Sequence, residues 1–212
     1  MSYFDQLVRE MIKNASSDTA SLKDLNEALC LAASRGFISE ILRLLPLCDP
    51  KDNNSRALCN AASMGQLEAV NILLPVSDAT ANGSRALLEA TFNGHVECVK
   101  ALIPYSNPKV NNSWILKLAA EHGRLECVKA LIPVSDPKVD YCMALQNALH
   151  YRHFDCARAL APHSDLPLVL NKLNGRDPES VRMVEEWMAE EQRKVINNAI
   201  DSAPSFSVGR KM

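Results

Sequence analysis

A single period runs through most of this chain. Gly36, Gly65, Gly94 and Gly123 stand 29 residues apart. Pro46, Pro75, Pro104, Pro133 and Pro162 keep the same step, as do Ala32, Ala61, Ala90, Ala119 and Ala148. Pro50, Pro108 and Pro137 form a second phase, so eight of the eleven prolines obey the period. Glycine and proline punctuate secondary structure, and a fixed step between them demands one repeated supersecondary unit. The chain divides into five units of 29 residues, near 26–54, 55–83, 84–112, 113–141 and 142–170. Units this small cannot bury an apolar face alone, so they must stack on one another as a solenoid.

Within a unit the punctuation predicts two short helices, as residues 84–112 illustrate. Ser84 is placed to N-cap a helix from Arg85 to Phe92, which Asn93-Gly94 ends because glycine takes the left-handed C′ position cheaply. Val96, Val99, Leu102 and Ile103 then recur at helical spacing, and Pro104 cannot donate to a continuing helix. Ser106-Asn107-Pro108 reads as a turn. No segment carries a strand pattern of any strength. Helices of about eight residues are too short to persist alone in water, which again requires packing between units.

The segment Ala119-Ala120-Glu121-His122-Gly123-Arg124-Leu125-Glu126-Cys127-Val128, followed by Lys129-Ala130-Leu131-Ile132, resembles the core of the ankyrin repeat. Asn93-Gly94-His95-Val96-Glu97-Cys98-Val99 is closer still, because it keeps the Gly-His pair of that family. The resemblance spans roughly 26–165 and departs from the family in two respects. Ser-Arg-Ala-Leu or Ser-Trp-Ile-Leu replaces the usual Thr-Pro-Leu-His opening, and the period is 29 instead of 33. The shortfall lies between Pro104 and Ser113, where the family places a β-hairpin, so short loops with few or no paired strands are expected. Compressed repeats of this kind look like those of bacterial, phage and large-virus ankyrin-like proteins. The implied fold is an all-α, ankyrin-like solenoid of five helix-turn-helix repeats with helical N- and C-terminal caps.

The ends are expected to close the array. An N-terminal capping region covers 1–25, with an amphipathic helix near 3–14 that sets Phe4, Leu7, Met11 and Ile12 on one side. At 171–200 a capping helix starts at Asp177-Pro178, with proline at N1, and aligns Val181, Val184, Trp187, Met188, Val195 and Ala199. The tail 201–212 has no periodicity and is expected to be disordered.

Composition narrows the function classes. Hydrophobic residues are 47% and charged residues 23%, as in a soluble globular chain, and the net charge is −2. That balance gives no whole-chain attraction for nucleic acid or an anionic membrane. The first residues carry charges throughout and lack an apolar core, so no signal peptide is expected, and no run is long and apolar enough to span a bilayer. Seven cysteines without a secretion signal suit a reducing compartment, and a cytoplasmic location, in a bacterium or a host cell, is expected.

Catalytic and metal chemistry find no motif. There is no G-x-S-x-G, H-E-x-x-H, phosphate loop or dinucleotide fingerprint, so no enzymatic activity and no cofactor are expected. Cys98, Cys127 and Cys156 lie 29 apart on successive second helices, and Cys30 and Cys59 repeat on first helices. Neighbouring helices pack about 8–10 Å apart, too far for sulfurs that must each reach one zinc ion or form a disulfide. The cysteines are read as small buried hydrophobes and no metal site is expected. His95 occupies the family's structural Gly-His position. His150 and His153, three apart beside Tyr151 and Arg152, lack a third ligand. Glu97-Lys100, Glu126-Lys129 and Asp155-Arg158 read as ion pairs on a solvated outer face.

The ankyrin resemblance implies a concave surface made by the ends of first helices and the preceding loops. The residues just before the phased glycine are Ser34-Arg35, Ser63-Met64, Phe92-Asn93, Glu121-His122 and His150-Tyr151, and they differ in every unit while the frame repeats. Arg56, Arg85 and Trp114 form the next exposed row. The candidate partner-binding residues are therefore Arg35, Arg56, Met64, Arg85, Phe92, Asn93, Trp114, Glu121, His122, His150 and Tyr151. For Phe92 and Trp114 the alternative is that the rings fill gaps between units. The expected partner is another protein, bound as by an inhibitor or effector. A self-associating structural protein, which would need an exposed apolar end, is the alternative. A nucleic-acid binder is disfavoured, since only Arg35, Arg56, Arg85 and Arg124 hint at a basic stripe.

Overall fold

A computed structural model describes residues 21–173 and 177–201, with Gln6, Glu10 and Lys13 helical and exposed before them. The rest of the expected N-terminal helix near 3–14, and the tail beyond Asp201, lie outside the described residues. Five helix pairs follow one another: α1 (Leu22–Arg35) with α2 (Ile38–Leu44), α3 (Asp52–Ser63) with α4 (Leu67–Leu73), and α5 (Ala81–Asn93) with α6 (Val96–Leu102). The last two are α7 (Val110–Glu121) with α8 (Leu125–Leu131), and α9 (Val139–His150) with α10 (Phe154–Leu160). Each second helix runs into a short 3-10 turn holding the phased proline, such as Ile103–Tyr105. Helices α11 (Leu166–Leu173) and α12 (Pro178–Asp201) close the C-terminal end. No strand occurs among the described residues.

The stacking follows from the repeated core. First helices pack on first helices in the order α1, α3, α5, α7, α9, and second helices form the other layer in the same order. Leu58, Leu87, Leu116 and Leu145 on the first layer are fully buried, as are Leu44, Leu73, Leu102, Leu131 and Leu160 on the second. The phased alanines, also at 0% exposure, let the two helices of a unit approach closely. All five pairs turn through the same cap. The backbone N–H of the residue after each phased glycine, or after Arg152 in the fifth unit, reaches back to the phased alanine, as in His95 N–H to Ala90 O at 2.9 Å and His153 N–H to Ala148 O at 2.8 Å. That is the Schellman arrangement, and it fixes the hinge between paired helices.

The unit boundaries hold a feature that local reading misassigned. Asn53, Asn54 and Ser55 are all left-handed, with φ of 47°, 58° and 57°, and Asn82, Gly83 and Ser84 repeat this at 47°, 67° and 62°. Asparagine and glycine tolerate this region best. The triplet turns the chain back into the next first helix in fewer residues than a hairpin needs. Ser84 therefore does not cap its own helix: its buried Oγ accepts the N–H of Asn107, 23 residues on, at 2.8 Å. Ser55 accepts from Asp78 at 2.8 Å, Ser113 from Asp136 at 3.0 Å, and Asn26 Oδ1 from Asp49 at 2.9 Å. Cys142 Sγ fills the same place opposite Asp165 at 3.2 Å. This ladder ties each boundary to the following one.

The C-terminal closure differs from a sixth repeat. Arg152 replaces the phased glycine yet keeps φ at 61°, and its guanidinium bonds to Glu179 while lying 3.9 Å from Asp177. Val184 and Trp187 of α12 are buried, as the expected stripe requires, but Val195 is 68% exposed and Ala199 is exposed with it. Helix α11 was not expected; Pro167 stands at its second position, where a helix accepts proline.

Candidate partner-binding face

The first helices present their outer rows across all five units, and the candidate residues form a strip along them. Met64 is 59% exposed, Tyr151 49%, Trp114 44% and Phe92 42%. None of these is core, although Phe92 does bridge two units. Phe92 meets the His122 ring of the next unit edge-on at 4.7 Å, and His122 is oriented by an Nδ1 contact of 3.0 Å to Leu118 O. His150 and Tyr151 stack edge-on at 4.9 Å on the fifth unit.

Polar members are held in place by neighbours. Arg56 pairs with Glu27 of the preceding unit at 2.8 Å, and Arg85 with Glu89 of its own helix at 3.3 Å. Asn93 Nδ2 donates to Ser63 Oγ at 3.2 Å and to Glu89 O at 2.9 Å. Glu121 accepts from Asn147 at 3.4 Å. Arg35 is exposed on the first unit, so the eleven positions make a strip from end to end and not one pocket. A cleft of about 200 Å³ lies between α3 and α5, walled by Arg56, Asn60, Ser63, Arg85 and Glu89. Met143, Asn147 and His150 border a second, of about 320 Å³, where α9 meets the C-terminal helices.

Sequence reasoning missed Lys117. Its phase is occupied by Cys30, Cys59 and Leu88 in earlier units, yet here a lysine is only 8% exposed. Its Nζ bonds to Asp140 at 2.6 Å and sits 5.8 Å from the Trp114 ring centroid. The paired ammonium thus stands at the outer limit of cation–π range from the half-exposed Trp114 ring. The break in an apolar phase was the available signal.

The opposite layer carries ion pairs on α6 and α8, although Leu42 of α2 is 56% exposed there. Glu97 pairs with Lys100 at 2.7 Å and Glu126 with Lys129 at 2.8 Å, as their spacing predicts. Arg158 instead crosses to Glu190 of α12 at 3.2 Å, away from the expected Asp155. Burial pushes the Cys30, Cys59 and Cys156 thiols up to about 11, and all seven cysteines are free. No group of three metal-binding side chains comes together among the described residues, and none of the described helices is long and apolar enough to cross a membrane.

The model of the family "Ankyrin repeats (3 copies)" matches residues 29–113 and 75–141, together more than half of the chain. This protein belongs to the ankyrin-repeat family. Ankyrin repeats are in general non-catalytic protein–protein interaction modules. No curated protein gives a significant match to the sequence.

Proposed function

We propose that this chain is a non-catalytic binding module, acting as an inhibitor or effector of one partner protein in the cytoplasm. The array over 26–170 binds through the first-helix strip, and 171–200 serves as its C-terminal cap. The observation that carries this reading is the contrast between frame and strip. Positions that build the stack repeat from unit to unit, whereas Met64, Phe92, Trp114 and Tyr151 are exposed, bulky side chains, and the residue pair before the phased glycine is a different one in every unit. Aromatic and methionine side chains are enriched where interfaces concentrate their energy. Nucleic acid is a poorer fit, because Arg56 and Arg85 already carry carboxylates and Arg124 Nε donates to Phe92 O at 2.9 Å.

Affinity capture with the intact chain, compared quantitatively with a Phe92→Ala, Tyr151→Ala, Arg85→Ala variant, tests the reading. Loss of the captured protein from the variant alone, with its melting temperature retained, is the expected result. Equal capture by both would overturn it.

A further inference from the structure

The sequence holds three Asn-Gly pairs, at 82–83, 93–94 and 174–175, the last outside the described residues. In an unfolded chain such a pair is chemically labile, because the glycine has no side chain to hinder its amide nitrogen. That nitrogen attacks the asparagine Cγ: the N–Cγ bond forms, the Cγ–Nδ2 bond breaks, and ammonia leaves with the amide proton. Water then opens the succinimide at either carbonyl, giving aspartate or an isoaspartate joined to glycine through its Cβ. Asn82 and Gly83 are both exposed, so water reaches them. The backbone decides whether they react. Ring closure needs the glycine nitrogen to eclipse the asparagine Cβ about the Cα–C bond. Asn82 has φ of 47° and ψ of 48°, which sets that nitrogen anti to Cβ. No rotation of the side chain closes the gap. Asn93 is held in another way: it ends α5, and its Nδ2 donates to Ser63 Oγ and Glu89 O.

We propose that Asn82 is a latent modification site: the left-handed triplet between the second and third units holds it intact, and opening of that boundary releases it to deamidation. The latch is Ser84, which is fully buried. Its N–H donates to Thr80 O at 3.0 Å, and its Oγ accepts the Asn107 N–H at 2.8 Å. Freeing ψ of Asn82 requires these bonds to break, which is a local opening of one boundary and not unfolding of the array. Space does not demand the glycine, since a Cβ at Gly83 would meet only Val110 Cγ2, at an ordinary 3.6 Å. Asn54 fills the equivalent place in the preceding boundary with φ of 58°, so asparagine makes the same turn without the lability. The modification runs one way. Isoaspartate puts an extra backbone atom into the turn that leads into α5, so the triplet cannot close as before. None of this depends on the binding role of the first-helix strip.

Peptide mapping by mass spectrometry reads each asparagine separately in the full chain, incubated at mildly alkaline pH either well below its melting temperature or in strong denaturant. In denaturant Asn82 and Asn93 should both convert, and faster than Asn53 and Asn54, whose following residues carry side chains. In native buffer Asn82 should slow by about tenfold or more, because breaking even one buried hydrogen bond makes the open boundary that rare. Ser84→Ala should raise the native rate at Asn82 about tenfold while Asn93 stays slow, which separates boundary opening from global unfolding. Gly83→Asn should suppress the reaction in denaturant and leave circular dichroism and melting unchanged. In urea below the global transition the unsubstituted chain should release Asn82 before Asn93, a measurement that stands even where Ser84→Ala fails to fold. Equal rates at Asn82 in native buffer and denaturant would overturn the proposal. So would a folded Ser84→Ala chain with Asn82 no faster, or simultaneous release of Asn82 and Asn93 along the urea series.

Discussion

His95 Nε2 lies 3.0 Å from the carbonyl oxygen of Ser63, which belongs to the preceding unit. A carbonyl only accepts, so Nε2 carries the ring proton. The same bond explains why the glycine of that preceding unit is needed. Gly65 has φ of 69°, and a Cβ added there would stand 2.6 Å from His95 Nδ1. The repeat therefore keeps glycine for two independent reasons, backbone conformation and the close approach of the next unit's side chain.

Gly65→Ala is expected to cost about 1–2 kcal/mol for the left-handed backbone, with the displacement of the His95 ring added to it. Gly94→Ala should cost less, because its Cβ would meet the flexible Arg124 side chain, at 3.1 Å from Cδ. Chemical denaturation of the two variants gives the comparison. Adding His95→Ala to Gly65→Ala should return part of the loss, a non-additivity expected of groups in contact.

The boundary ladder makes a second prediction. Ser84→Ala leaves the Asn107 N–H without its acceptor and should destabilise the protein by about 1–3 kcal/mol. Cys142 occupies the equivalent place with a weaker sulfur acceptor. Cys142→Ser should accordingly be neutral or stabilising, measured by thermal melting under reducing conditions.

The thiols set an alkaline limit. Burial pushes Cys30, Cys59 and Cys156 from 9.0 to about 11 in the folded chain. Thiolate formation thus favours the unfolded state, where the ordinary value returns. The stabilising contribution is complete below pH 9 and is lost as the pH rises through 11. Melting temperature should hold up to about pH 9 and fall beyond it. Substituting Cys30, Cys59 and Cys156 by alanine should flatten that fall while lowering the plateau. Rapid labelling of Cys98, Cys127 and Cys156 in native buffer would contradict their burial.

The helix pairs, their glycine caps and the start of α12 at Pro178 were legible because each depends on residues within a few positions. The boundary ladder was not, since Ser84 finds its partner 23 residues away in the next unit's turn. A signal was present in the phased Asp49, Asp78, Asn107, Asp136 and Asp165, with Asn-Asn or Asn-Gly preceding the serines, but it reads as ordinary turn chemistry. The candidate strip was legible as exposed variation between units. Its internal order was not, because the Lys117–Asp140 pair and the Phe92–His122 contact arise only when neighbouring units stack.

The central claim is that partner binding resides on the first-helix strip, and its most direct test is the affinity of the captured partner for point variants of the purified chain. Phe92→Ala should weaken binding by about 1–3 kcal/mol without unfolding the protein, as for an interface anchor. Glu97→Ala and Lys100→Ala on the opposite layer should change it by less than about 0.5 kcal/mol. Binding abolished by the Glu97 and Lys100 substitutions but indifferent to Phe92→Ala would contradict the account.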